Sequence, residues 1–246
     1  MAIAKNGING SFRGKVGSVI GYELGGQNVM RSVGRRTKPF TERELLNQQK
    51  MKVVSGFLGP IISIVKFGFQ RETPASGRVG AFQLAQSYVR KNAVDLDGEG
   101  KPFVNPAKVL FSKGELDRPA NCTMKCEDSV LTIRWDYFNR GADDRLMVLL
   151  YRPGRVFFVD FRDVGAKRQE REDVWKLGPL DPKYGPVHVY AAFRDTIQDV
   201  VSDSVYCGTI DPGAPSAPDI GHTRLRKESV RPTPQSGQLG LAFPDL

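Results

Sequence analysis

A few sets of residues in this chain are of types that could do chemistry. Gly10-Ser-Phe-Arg-Gly14-Lys15 has the glycines and the lysine of a phosphate-cradling loop. Such a loop needs four residues between its glycines and a Ser or Thr after the Lys, so that backbone amides wrap the phosphate and a hydroxyl reaches magnesium. Three residues intervene here and Val16 follows, so no nucleotide site is expected. Asp95-Leu-Asp97-Gly-Glu99-Gly100 alternates carboxylates and sets a glycine sixth, as a calcium loop does. The twelfth position of that loop must be a bidentate Glu, and here it is Pro106. An acidic turn is expected instead.

Three cysteines, Cys122, Cys126 and Cys207, form an odd set that argues against a disulfide framework. Cys122 and Cys126 fall in one extended run, about 13 Å apart, too far to bridge. A Cys126–Cys207 pair is conceivable if the strands holding them are neighbours, but small buried thiols are the expectation. With a histidine the three cysteines suffice for zinc by number, but not by spacing. The two histidines, His188 and His222, suggest no Ser/His/Asp or Cys/His set. The carboxylate pairs Asp143-Asp144 and Glu172-Asp173 lie among arginines and read as solvated salt-bridge partners. No catalytic, cofactor-binding or metal-binding residue is therefore assigned, and the chain is read as non-enzymatic.

The elements behind these residues fall into four stretches. Residues 1–40 are glycine-rich and basic. Ser18-Val-Ile-Gly-Tyr-Glu-Leu24 and Gln27-Asn-Val-Met-Arg-Ser-Val33 flank Gly25-Gly26, a hairpin signal. So many glycines make the hairpin a poor fold by itself, so it needs something to lie on. Residues 41–115 read as mainly helical. Thr41-Glu-Arg-Glu44 is a capping box. Leu45, Met51, Val54 and Leu58 make a helical stripe up to Gly59-Pro60. A second apolar segment runs over 61–69, a helix over 79–94, and a connector over 103–116.

From residue 116 the periodicity changes to two. Strands are expected around Leu131, Ile133 and Trp135, over 145–152, 155–161 and 187–193, and over 200–206. Short strands with regular turns imply a sandwich over 116–210. Residues 211–246 are proline-punctuated and read as an extended tail with an apolar end. The fold class is thus α+β: a β-hairpin plus helices, followed by an all-β immunoglobulin-like sandwich.

Composition narrows the partners. Among 246 residues, 36 Lys and Arg face 27 Asp and Glu, a formal charge of +9. Such a surface favours acidic partners. The local excess lies at Lys5, Arg13, Lys15, Arg31, Arg35, Arg36 and Lys38, against Glu23 alone. These residues, with Leu241 and Phe243 in the tail, are the candidate partner contacts. Basic and aromatic residues also interleave at Arg152, Arg155, Phe157, Phe158 and Arg162, a pattern that can stack bases and pair phosphates. Asp160 and Asp163 interrupt it. No continuous apolar stretch follows the N-terminal Met1-Ala-Ile-Ala-Lys5, so no cleaved signal is expected. The apolar run 56–69 is too short to span a bilayer and holds Pro60 and Lys66. Synthesis in the cytoplasm, with no membrane span, is the expectation.

Several of these stretches resemble a known group. Trp135 in the second strand, the corner Leu180-Asp-Pro-Lys-Tyr184 and the closing Val201-Ser-Asp-Ser-Val-Tyr206 resemble a fibronectin type III module. Tyr184 or Tyr190 could supply its corner tyrosine. Lys5-Asn-Gly-Ile8, Gly14-Lys-Val-Gly17, Val29-Met-Arg-Ser32, Gln86-Ser-Tyr-Val-Arg-Lys-Asn-Ala93, Leu110-Phe-Ser-Lys-Gly-Glu-Leu116 and Ser202-Asp-Ser-Val-Tyr206 resemble an uncharacterised family of Bacteroidota proteins of unknown function, over residues 1–208. That resemblance implies a bacterial or bacteriophage context and no reaction. The expectation is a structural subunit of a larger assembly (virion, phage-like particle or surface filament), whose basic hairpin and proline-rich tail contact other protein subunits. Non-specific nucleic-acid contact and an adhesin-like binding role are the alternatives.

Overall fold

In a computed structural model the structure describes residues 2–4, 13–154 and 157–212. The expected α+β class is observed. The chain opens with β1 (Ala2–Ala4), β2 (Gly14–Val16), β3 (Val19–Leu24) and β4 (Gln27–Ser32). They make one antiparallel sheet in the order β1-β4-β3-β2. The glycine pair closes the β3–β4 hairpin. Gly25 and Gly26 both take positive φ, at 56° and 71°, the backbone that a two-residue turn between right-twisted strands requires. The hairpin read from the sequence thus acquires a flanking strand on each side.

Helix α1 (Glu42–Leu58) starts at the expected capping box. The Thr41 hydroxyl accepts from the Glu44 amide, and the Glu44 carboxylate accepts from the Thr41 amide at 2.9 Å. After one 3-10 turn, α2 (Ile62–Gly68) continues the helical path; α3 (Ala81–Asn92) packs against both. The stripe differs from expectation at its start. Val54 and Leu58 are buried, but Leu45 and Met51 are 44% and 40% exposed. Only the second half of α1 has a partner surface. The whole run Glu42–Gly68 is long and apolar enough by composition to cross a membrane. Here Val54, Phe57, Leu58, Ile61, Ile64 and Val65 instead pack into the core.

A short hairpin follows, of β5 (Val94–Leu96) and β6 (Pro102–Val104). The sandwich is built from β7 (Ala120–Glu127), β8 (Val130–Asp136), β9 (Arg145–Arg152), β10 (Phe158–Arg162), β11 (Glu172–Lys176), β12 (Val187–Asp195), β13 (Val200–Val201) and β14 (Val205–Ile210). Its smaller sheet runs β11-β8-β7; the larger runs β10-β9-β12, with β13 and β14 both pairing β12. Sequence reading missed β11 and merged β13 with β14. The interruption at 202–204 is where serine side chains bond to other segments.

Two cores share the larger sheet. Leu146, Val148 and Leu150 of β9 face the smaller sheet, with Leu131, Ile133 and Trp135 opposite. Met147, Leu149 and Tyr151, on the other face of the same strand, pack with the helices. That explains why β9 reads as a nearly continuous apolar run rather than an alternating one. Two tyrosines complete the contact: the Tyr151 hydroxyl donates to Phe57 O at 2.5 Å, and Tyr190 donates to Pro106 O at 2.9 Å. Burial pushes the Tyr151 phenol up to about 12. Neither candidate fills the corner role expected from the sequence. Tyr190 reaches outside the sandwich, and Tyr184 lies on the surface beneath the Arg152 guanidinium.

Candidate interaction surface

The basic sheet is peripheral to both cores. Among the described residues neither apolar cluster includes one before Val54. The hairpin tip meets the body at the turn before α3: a Cβ at Gly25 would lie 2.8 Å from Ser76 O, and Arg78 donates to the Gln27 side chain. The β2 edge is exposed at every residue, with Val16 64% exposed.

Its cations divide into two groups. Arg13 pairs with Glu23. Arg36 forms a fork with Glu44, through Nη1 to Oε1 at 3.1 Å and Nη2 to Oε2 at 2.6 Å. It also donates to Lys38 O and Pro39 O and lies 4.0 Å above the Phe40 ring. The Arg36 guanidinium, with the Thr41 cap, holds the Glu44 carboxyl down at about 2. Arg36 therefore fastens the sheet's exit to helix α1. Lys15, Arg31, Arg35 and Lys38 form the second group. They are exposed and pair with no carboxylate among the described residues. Arg31 packs over the Tyr22 ring at 5.7 Å. Of the other candidate contacts, Lys5, Leu241 and Phe243 lie outside the described residues.

The second basic cluster is not assembled as a free patch. Arg152 is 7% exposed; it donates to Gly185 O and lies over the Phe158 and Tyr184 rings. Arg162 bonds Asp173 and Val174 O. Arg155 lies outside the described residues. Phe157 is the exposed member. The arginines of this strand pair are thus held by sandwich groups rather than aligned toward solvent.

The remaining motifs resolve similarly. Asp95 accepts from Lys108 and Asn105, and Asp97 Oδ1 accepts two amides of its own turn. This is the acidic turn expected. Asp143 pairs Lys167, Asp144 pairs Arg168, Glu172 pairs Arg134 and Asp173 pairs Arg162. The ion pairs were foreseen, but two are not solvated: Asp144 and Asp173 are buried. Burial raises both carboxyls, against the pull of their arginines. His188 Nδ1 lies 3.2 Å from the Tyr206 hydroxyl, and burial lowers its imidazole. Among the described residues no group of three His, Cys, Asp or Glu side chains could hold a metal ion.

Two stretches that carried the family resemblance meet in space. Ser204 Oγ accepts from the Phe111 amide at 3.0 Å, and Ser204 N donates to Ser112 O at 3.1 Å. Ser112 Oγ donates to Ser202 O, and Asp203 accepts from the Gly114 amide. On the other side Lys113 N donates to Gly68 O. The connector 110–116 thus threads between α2 and the edge of the larger sheet. A model of a family of unknown function, DUF6266, matches residues 11–208. The chain belongs to that family. No curated protein and no solved structure matches it. The DUF6266 match takes in the basic sheet from residue 11, the helices, the connector seam and the sandwich through Gly208. In this DUF6266 chain, residues 209–246 lie beyond it.

Proposed function

We propose that this DUF6266 protein is a non-enzymatic structural subunit of a larger assembly, held to its neighbours by the basic N-terminal sheet. One observation carries the reading: among the described residues a four-stranded sheet with a fully exposed edge strand lies outside both cores, and Lys15 and Arg31 on it, with Arg35 and Lys38 on the segment that leaves it, have no carboxylate partners. An unpaired edge strand is a template for another chain, and unpaired cations add affinity for an acidic neighbouring face. A virion, phage-like particle or surface filament is the setting proposed, in keeping with the resemblance to Bacteroidota proteins. The proline-rich tail is proposed as the second contact.

The test is charge reversal at the surface. A chain carrying Lys15→Glu, Arg31→Glu, Arg35→Glu and Lys38→Glu should keep its unfolding midpoint and lose its higher-mass species in size-exclusion chromatography with light scattering. An unchanged mass distribution would remove these cations from the contact.

The cation excess also supports a second reading, non-specific nucleic-acid contact. It predicts steep loss of DNA or RNA binding between low and moderate salt, because each neutralised phosphate releases counterions. A flat salt response would eliminate it.

A further inference from the structure

We propose that Cys122 and Cys207 form a reversible disulfide that staples the two sheets of the sandwich. The pairing differs from the one conceivable from the sequence, which joined Cys126 to Cys207. Cys122 Sγ lies 2.8 Å from Cys207 Sγ, and Cys126 sits two residues beyond Met124 on the same strand. Both partners are half-buried free thiols.

The local backbone is arranged for this contact from both sides. In the β7–β8 pairing, Ala120 faces Asp136 and Thr123 faces Arg134. Asn121 and Cys122 thus share the single opposing residue Trp135, which is a β-bulge. In the β12–β14 pairing, Val189 faces Gly208 and Tyr190 faces Tyr206. Cys207 is left over as the extra residue of a second bulge. Each bulge has a positive φ in it or beside it: Asn121 at 48° within the first and Gly208 at 133° next to the second. A bulge re-aims a side chain out of the regular alternation. Here the β14 bulge turns Cys207 to the inward face, where it meets Cys122, which keeps the inward place it shares with Met124 and Cys126. Gly208 also lets β7 approach, because a Cβ there would lie 3.1 Å from Met124 Cε.

The chemistry is thiol–disulfide exchange with a small-molecule disulfide such as oxidised glutathione. One thiol loses its proton to water and attacks the oxidant, which breaks the oxidant's S–S bond and releases one thiolate. The second cysteine then loses its proton and displaces the other half of the oxidant. One S–S bond of about 2.05 Å forms; two electrons pass to the oxidant, which leaves as two thiols. Hydrogen bonding to Cys122 and burial both raise the Cys207 thiol, so closure should quicken as pH rises.

The full-length reduced chain, incubated with oxidised glutathione, should lose two thiols per monomer. Non-reducing peptide mapping should find Cys122 joined to Cys207. The loop closed is long, so the unfolding midpoint should rise by roughly 5–15 °C and fall back in dithiothreitol. Cys126→Ala should keep both the link and the shift; Cys122→Ala should lose both. A link through Cys126, an intermolecular link, or a folded chain that retains all three thiols at equilibrium with the oxidant would overturn the proposal.

Discussion

Arg168 is an arginine folded into the protein. Its guanidinium pairs with the nearly buried Asp144 at 2.9 Å, donates to Asp117 O, and lies 4.1 Å above the Phe193 ring. Its own carbonyl accepts from the Trp135 indole at 2.8 Å. Removing one member leaves a buried charge uncompensated, so Asp144→Ala should cost about 3–5 kcal/mol in urea unfolding. Replacing both by apolar residues should cost less than that single change. Glu44 makes the opposite case at the surface. Its carboxyl is held at about 2 against an ordinary 4.5. A depressed acid contributes stability above its unfolded value and loses it as pH falls through its folded one. The stability read by urea unfolding should therefore decline between about pH 4.5 and pH 2, and Glu44→Gln should lack that component. The sequence showed the Thr41 cap because a capping box is local. It did not show that Arg36 is spent on Glu44, because charge counting reports which cations are present and not where their partners are.

At the scale of elements, the connector 110–116 is the least forgiving segment. A Cβ on Gly114 would lie 2.1 Å from Val201 O, and one on Gly68 would lie 2.3 Å from Phe111 O. Both obstacles are backbone, so no rotamer change relieves them. In a thermal scan Gly114→Ala should prove less stable by at least about 1–3 kcal/mol. Gly98→Ala, in open space, should be neutral by the same thermal scan. Alternating strands such as β8 were legible because one face meets a core and the other meets water or charge. Strand β11 was not: Glu172-Asp-Val-Trp-Lys176 is mostly charged, its Asp173 is inward, and its Val174 is exposed. Here a buried ion pair inverts the usual rule. The seam itself was visible only as two unconnected motifs, since nothing local announces that the serines of 202–204 bond to 111–112.

For the whole molecule, the larger sheet belongs to two cores at once. Met147, Leu149, Tyr151 and Tyr190 would be uncovered in a fragment of residues 116–212. That fragment should aggregate on expression, whereas residues 39–212 should unfold cooperatively as a monomer. A soluble, cooperative 116–212 fragment would show that the helical core is dispensable. The basic sheet is the converse case, since none of its described side chains belongs to either core. Its glycines led to the expectation that it must lie on something; neither its place outside both cores nor its two added strands could be read, because pairing with distant segments has no local signal. The central claim is that this sheet joins subunits. Light scattering after size exclusion, on the full chain and on the chain lacking residues 1–38 at equal concentration, tests it most directly. A multimer is expected for the full chain, and for the shortened one a folded monomer whose unfolding midpoint falls only by the loss of the Arg36–Glu44 pair. The same mass for both would contradict it.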